Sequence, residues 1–196
     1  LAGWFGVVGP RLATAEARVL RLVGPTRAAD PRSEARLLNL VDGLVPSAGV
    51  TRPQCLVLDA PGPNALVFGR DARHGCFIVT TGLLDSLDRM QLEGVVARAL
   101  VTIRDGVTAA ATRALAIGGD RLRSVGADPG SAADLDLAAV MLTRYPPGLA
   151  SALRRVLDAG PPAAAPDSSP LLDRLWLAPP GDGDGVSTRA EVLEEL

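Results

Sequence analysis

The chain has 196 residues, 47% of them hydrophobic and 21% charged, with a formal net charge of -2. That apolar content fills one soluble domain and excludes a disordered tail. All 20 basic residues are Arg, interspersed with 22 Asp and Glu, a usage that fits high-GC coding; with no basic stripe to follow a phosphate backbone, nucleic acid is not expected as a partner.

In chain order, LAGWFGVVGP is apolar but stops at Pro10 and Arg11, about half the ~20 residues a membrane helix needs. It reads equally as the tail of a transmembrane segment from upstream of Leu1 or as a strap packed on the domain. No other window reaches membrane length, GVTAAATRALAIGG being interrupted by Arg113, so this chain is expected to be soluble. TAEARVLRLVG predicts a first helix with Thr14 as its N-cap, and DPRSEARLLNLVDGLVPSAG a second, capped by Asp30, with Pro31 at its first position and Gly49 closing it. Three β-type runs follow, QCLVLDA, ALVFGR and GCFIVTTG, parted by the turn formers PGPN and DARH. Spacing this tight predicts a small, mostly antiparallel three-stranded sheet.

LLDSLDRMQLEGVVARALVTIRDGVTAAATRAL predicts helix with a break near Asp88. DLDLAAVMLTRY and PPGLASALRRVLDAG form a helix pair hinged at Pro146 and Pro147. A loop at about 159–170, an apolar anchor LLDRLWLAPP, a flexible tip GDGDG and a terminal helix TRAEVLEEL complete an α+β, mostly helical order. Residues 1–29 form an N-terminal apolar segment and helix, and 30–196 the main domain.

Within LEGVVARALVTIRDG, the residues Leu92, Val95, Val96, Ala99, Leu100 and Ile103 recur at helical spacing, so one face is buried. Arg98 and Thr102 stand one turn apart on the neighbouring face. The chain has a single imidazole, His74, in the tight turn before a strand, where it reads as a surface or turn-satisfying side chain. Most His-based zinc sites need at least two imidazoles, and a Ser-His-Asp triad would have one base with no nucleophile tied to it. Cys55 and Cys76 permit one disulfide at most and read by default as buried thiols; a site built from Cys55, Cys76 and His74 lacks the usual ligand spacing. No catalytic residue, metal ligand or cofactor site is assigned.

RLLNLVDGLVPSAGV, then PNALVFGRDARHGCFIVTTGLLDSLDRMQLEGVVARAL, then DLDLAAVMLTRYPPGLASALRRV, and LWLAPPGDGDGVSTRAEVLEEL resemble, in order, the HtpX-type zinc metallopeptidases, metallopeptidase family 48. The resemblance implies a zincin-like (gluzincin) peptidase domain. Activity in that family rests on His-Glu-x-x-His, whose two His bind zinc from one helix face while the Glu activates the bound water. The alignment places Arg98 at the first His, Ala99 at the Glu, Thr102 at the second His and Ala132 at the third ligand, so all four functions are lost. Arg174 and STRAEV stand where relatives keep His-containing segments.

Asp136 matches the family's Asp that orients the first His. With Arg98 in that place, either the two pair across their helices, or Arg98 extends along its helix into water. The resemblance further implies that the ALVFG strand offers its edge to an extended chain, with Asn64, Ala65, Leu66 and Phe68 as contacts; ordinary sheet packing accounts for the same pattern. The reading is a catalytically inactive pseudopeptidase that binds a protein or peptide as adaptor or regulator. The full-length protein is then associated with a bacterial membrane, on a side the sequence does not specify, through the N-terminal segment or an upstream helix. The alternatives are a zinc metalloendopeptidase with a non-standard site and a purely structural subunit.

Overall fold

A computed structural model describes residues 16–107, 109, 112, 132–160, 163, 170–173 and 175–196. Thr14, the opening apolar stretch, Arg113, most of the loop at 159–170 and Arg174 lie outside them. The elements run α1 (from residue 16 to 23), β1 (Thr26–Ala28), α2 (Ala35–Ala48), β2 (Gln54–Leu58), β3 (Ala65–Gly69), β4 (Gly75–Thr80), α3 (Thr81–Ser86) and α4 (Arg89–Arg104). After these come α5 (Ala132–Thr143), α6 (Pro146–Asp158), the short α7 (Pro170–Asp173) and α8 (Gly183–Glu194).

The three runs expected as strands are strands, but the sheet has four, in the order β1-β2-β4-β3, and it is mixed. β4 folds back antiparallel on β3 and in doing so slips between β3 and β2, which makes its pairing with β2 parallel, Cys55 opposite Phe77. Tight spacing suggested that neighbours in sequence pair in space; the chain instead leaves β2, crosses to the far edge and returns. β1 was not expected, because TRA is three mostly exposed residues with no apolar alternation, held by antiparallel pairing to β2.

Both faces of the sheet are covered, which is why its strands read as continuous apolar runs. Cys55, Val57, Val67, Phe77 and Val79 face the main core with α2 and α4, whereas Leu56, Leu66, Phe68, Cys76 and Ile78 face a second cluster with Val19, Val23, Leu172 and Trp176. Cys55 and Cys76 therefore lie on opposite faces and are free, buried thiols. Burial pushes the Cys55 thiol up to about 11 and that of Cys76 to about 12, so neither is a ready nucleophile.

α4 is the central helix. The break before it is a capping box: the Gln91 N–H donates to Asp88 Oδ1 at 2.9 Å, and the Asp88 N–H to Gln91 Oε1 at 3.0 Å. It crosses α6 at close range, since a Cβ on Gly94 would come within 2.7 Å of the Leu149 nitrogen and one on Gly148 within 2.8 Å of the Met90 carbonyl. α5 ends at Arg144, whose φ of 56° is left-handed, and Pro146 and Pro147 open α6 as expected.

Three helix boundaries differ from expectation. The helix expected to run on from Asp88 through Leu115 ends as α4 at Arg104, and Gly106 beyond it is left-handed with a φ of 73°. Asp30 caps a preceding turn through the N–H groups of Arg32 and Ser33, so α2 begins at Ala35; Gly49 closes it in the left-handed conformation. GDGDG is not a free tip: its last three residues, Gly183 to Gly185, form the first turn of α8. Burial of Val186, Ala190 and Leu193 at helical spacing carries the helix back through residues of poor propensity.

Candidate functional site

α4, α5 and α8 bring together three charged side chains in the interior. Asp136 is 1% exposed, and the side chains of Arg98 and Arg189 are 12% and 10% exposed. Asp136 Oδ1 accepts from Arg98 Nε and from Arg189 Nη2, both at 2.9 Å, and Oδ2 accepts from Arg189 Nε at 2.6 Å. Arg189 grips the carboxylate with two N–H groups and donates a third to the Leu177 carbonyl at 2.7 Å. Arg98 donates to Thr102 Oγ1 at 2.5 Å, and that hydroxyl donates to the Arg98 carbonyl one turn back at 2.8 Å.

Arg98 thus pairs with Asp136 rather than extending into water. Burial draws the Arg98 guanidinium below its ordinary range, and the Asp136 charge opposes that pull. Two cations share one anion, so the cluster carries a net +1 charge in a poorly solvated place. Of the other residues at the aligned positions, Ala99 is packed in the core and Ala132 is exposed one turn before Asp136. Arg189 was not singled out from the sequence. The signal was an Arg interrupting the apolar positions Val186, Ala190 and Leu193 of one helix face.

The expected peptide-receiving strand is not open. β3 lies at the edge of the sheet, but Asn64, Ala65, Leu66 and Phe68 are at most 3% exposed. Its outer side is taken by residues 175–177, the Leu177 N–H donating to the Ala65 carbonyl at 2.7 Å and the Val67 N–H to the Leu175 carbonyl at 3.2 Å. The Asn64 side chain prolongs this pairing: Nδ2 donates to the Ala178 carbonyl at 2.8 Å while Oδ1 accepts the Ala178 N–H at 3.1 Å. The apolar LWLAPP run anchors the chain by docking on this edge. Sequence could not show that the chain supplies its own extended segment, because the partners lie more than a hundred residues apart.

His74 sits at the β3–β4 turn, half exposed, with Nδ1 at 2.8 Å from Asp71 Oδ1 and its backbone N–H donating to the same oxygen at 2.9 Å. That is the surface, turn-satisfying role expected of it.

No protein-family model matches the chain. Among curated proteins it is similar to a protease HtpX homolog from Dictyoglomus thermophilum, 48% identical over 69 residues (35% of this chain, 23% of the relative). A second, from Dictyoglomus turgidum, is 32% identical over 161 residues (61% of this chain, 53% of the relative), and one from Acidiphilium cryptum is 42% identical over 93 residues (45% and 32%). The chain is an HtpX-type homologue. It spans between 23% and 53% of the length of these HtpX relatives.

An HtpX-type zinc site needs ligand nitrogens and carboxylates with free lone pairs. Here the positions that the resemblance aligns with ligands carry a guanidinium, a methyl group and a hydroxyl, and the Asp136 carboxylate beside them is already bound by three N–H groups. A divalent cation beside it would also meet two fixed positive charges. Zinc does not fit this donor set. Among the described residues, no three or more His, Cys, Asp or Glu side chains are grouped to hold a metal elsewhere, and no helix is long and apolar enough to cross a membrane.

Proposed function

We propose that this HtpX-type chain is a catalytically inactive pseudopeptidase, with a zincin-like domain over residues 30–196, that acts as a protein- or peptide-binding adaptor or regulator near a bacterial membrane. The observation that carries the reading is the Arg98–Asp136–Arg189 cluster. A guanidinium that cannot be a ligand stands where the family's first His aligns, and it neutralises the carboxylate that would orient such a ligand. Kinship with proteins named as proteases supports the scaffold; the loss of donors and general base supports the change of role. The β3 edge, occupied from within the chain, turns the binding role toward another surface.

The test is metal content and proteolysis on the same purified protein. After incubation with zinc and desalting, the chain is expected to retain far less than one equivalent, and labelled casein to stay uncut with or without 1,10-phenanthroline. One retained zinc per chain with chelator-sensitive cleavage would falsify the proposal. For the binding role, a protein partner is expected to co-purify with the full-length protein from its membrane at fixed stoichiometry; a full-length protein that purifies alone under mild detergent sinks the adaptor reading.

A further inference from the structure

At the Gly69 end of β3, away from the Ala65 end where Leu177 docks, a cavity of about 320 Å³ opens between α1, the start of β2 and the β3–β4 turn. Arg52, Arg70, Arg73 and His74 line it, against a single acidic side chain, Glu16, over an apolar floor that includes Phe68. Two more carboxylates are near but do not line it: Asp42 pairs with Arg52, and Asp71 with His74. Arg73 has no ion-pair partner among the described residues.

The decisive detail is an incomplete pair. Arg70 Nε and Glu16 Oε1 approach only to 4.0 Å, and each is a buried atom with no hydrogen-bond partner. A buried donor and a buried acceptor left open side by side are costly, and a bound molecule that offers both an acceptor and a donor resolves them together. Three guanidiniums around the same space require that molecule to be anionic. A carboxylate or sulfate satisfies Arg70 but sets oxygen lone pairs against Glu16. A phosphate with a hydroxyl on phosphorus or on its alcohol group does both, its oxygens accepting from the arginines and its hydroxyl donating to Glu16.

We propose that this cavity is a binding site for a phosphate compound that also carries a hydroxyl, on phosphorus or on its alcohol group: either a free phosphate or phosphate ester, or a lipid headgroup with a hydroxyl of its own, as in phosphatidylglycerol. It is separate from the Asp136 cluster and stands whether or not the chain cuts peptides. The experiment is calorimetric titration of the full chain with inorganic phosphate, glycerol 3-phosphate and sulfate, alongside flotation with phosphatidylglycerol and with phosphatidylcholine vesicles. Phosphate or glycerol 3-phosphate is expected to bind one-to-one and more tightly than sulfate, and Arg73→Gln to weaken it about tenfold, the loss of one charge-assisted contact. Glu16→Gln, which removes the carboxylate that disfavours sulfate, narrows the preference. Flotation with phosphatidylglycerol alone, abolished by Arg73→Gln, places the phosphate on a lipid. Arg73 is at an exposed turn, and its variant should unfold at the same temperature as the parent. The proposal is overturned if neither solute nor vesicle binds, if binding ignores Arg73→Gln, or if sulfate binds as well as phosphate.

Discussion

Arg98 and Arg189 meet Asp136 between helices, at most 12% exposed; Arg52, Arg70 and Arg73 ring a cavity at the rim of the sheet, with Arg52 half exposed and Arg70 a third exposed. The same side chain does different work in the two places. Inside, desolvation makes every unpaired N–H expensive, so the guanidiniums are committed to fixed acceptors and little remains to offer a ligand. At the rim, ion pairs are weak and incomplete: Arg70 Nε has no hydrogen-bond partner and Arg73 no ion pair among the described residues, so donors remain to offer a solute. Net positive charge alone does not make a binding site; accessible, uncommitted donors do.

The largest effect that tests this contrast comes from removing the shared anion. Asp136→Ala leaves two buried guanidiniums facing each other and is expected to destabilise the chain by about 3–5 kcal/mol. At roughly 2–4 °C per kcal/mol for a chain of this size, the melting temperature falls by at least ~6 °C in circular dichroism. A loss under ~1 kcal/mol, the range of a surface pair, would erase the distinction between the two regions.

A smaller effect sharpens the inner half of the contrast. Arg98 is the surplus cation, holding the carboxylate through one N–H, whereas Arg189 uses two and also satisfies the Leu177 carbonyl. Arg189→Met is therefore expected to cost about 2–4 kcal/mol and Arg98→Met half of that or less. Chemical denaturation of the two variants decides, and the reverse order would place the structural anchor on α4 instead of α8.

The smallest effect concerns a pair that bridges the two regimes. Arg27 binds the buried Glu34 carboxylate through two N–H groups at 2.8 and 2.9 Å, which, against the cost of burial, holds its pKa down to about 2 from 4.5. A carboxylate whose folded pKa lies below its unfolded one stabilises the fold fully above the unfolded value. That contribution is lost as pH falls from about 4.5 toward about 2. Arg27→Gln should lower the melting temperature at neutral pH and flatten the acid limb over that window, so that the two profiles converge near pH 2. Because Arg27 is half exposed, added salt should shrink the difference; an acid limb that is the same in both proteins rules the pair out.

The elements that were legible in the sequence are those with local causes. Asp88 and Gln91 lie three residues apart and announce the start of α4, and unbroken apolar runs announce strands buried on both faces. β1 was not legible, since its three residues owe their form to β2 and not to themselves. At the site, Asp136 and Arg98 could be paired in advance because the resemblance to a metal centre ties their positions, across 38 residues of chain. Arg189 lies 53 residues from Asp136, and no periodicity within α8 points to its partner. The closure of the β3 edge is a long-range backbone event of the same kind.

That closure has a use beyond local bonding. An open border of a sheet is a template on which copies of a protein can add to one another and grow into insoluble assemblies. By laying residues 175–177 along β3, the polypeptide covers that border, and among the described residues the other end of the sheet is the three-residue β1. The segment from Leu175 onward thus shields that edge, and a version cut before Leu175 would bare the hydrophobic margin it covers.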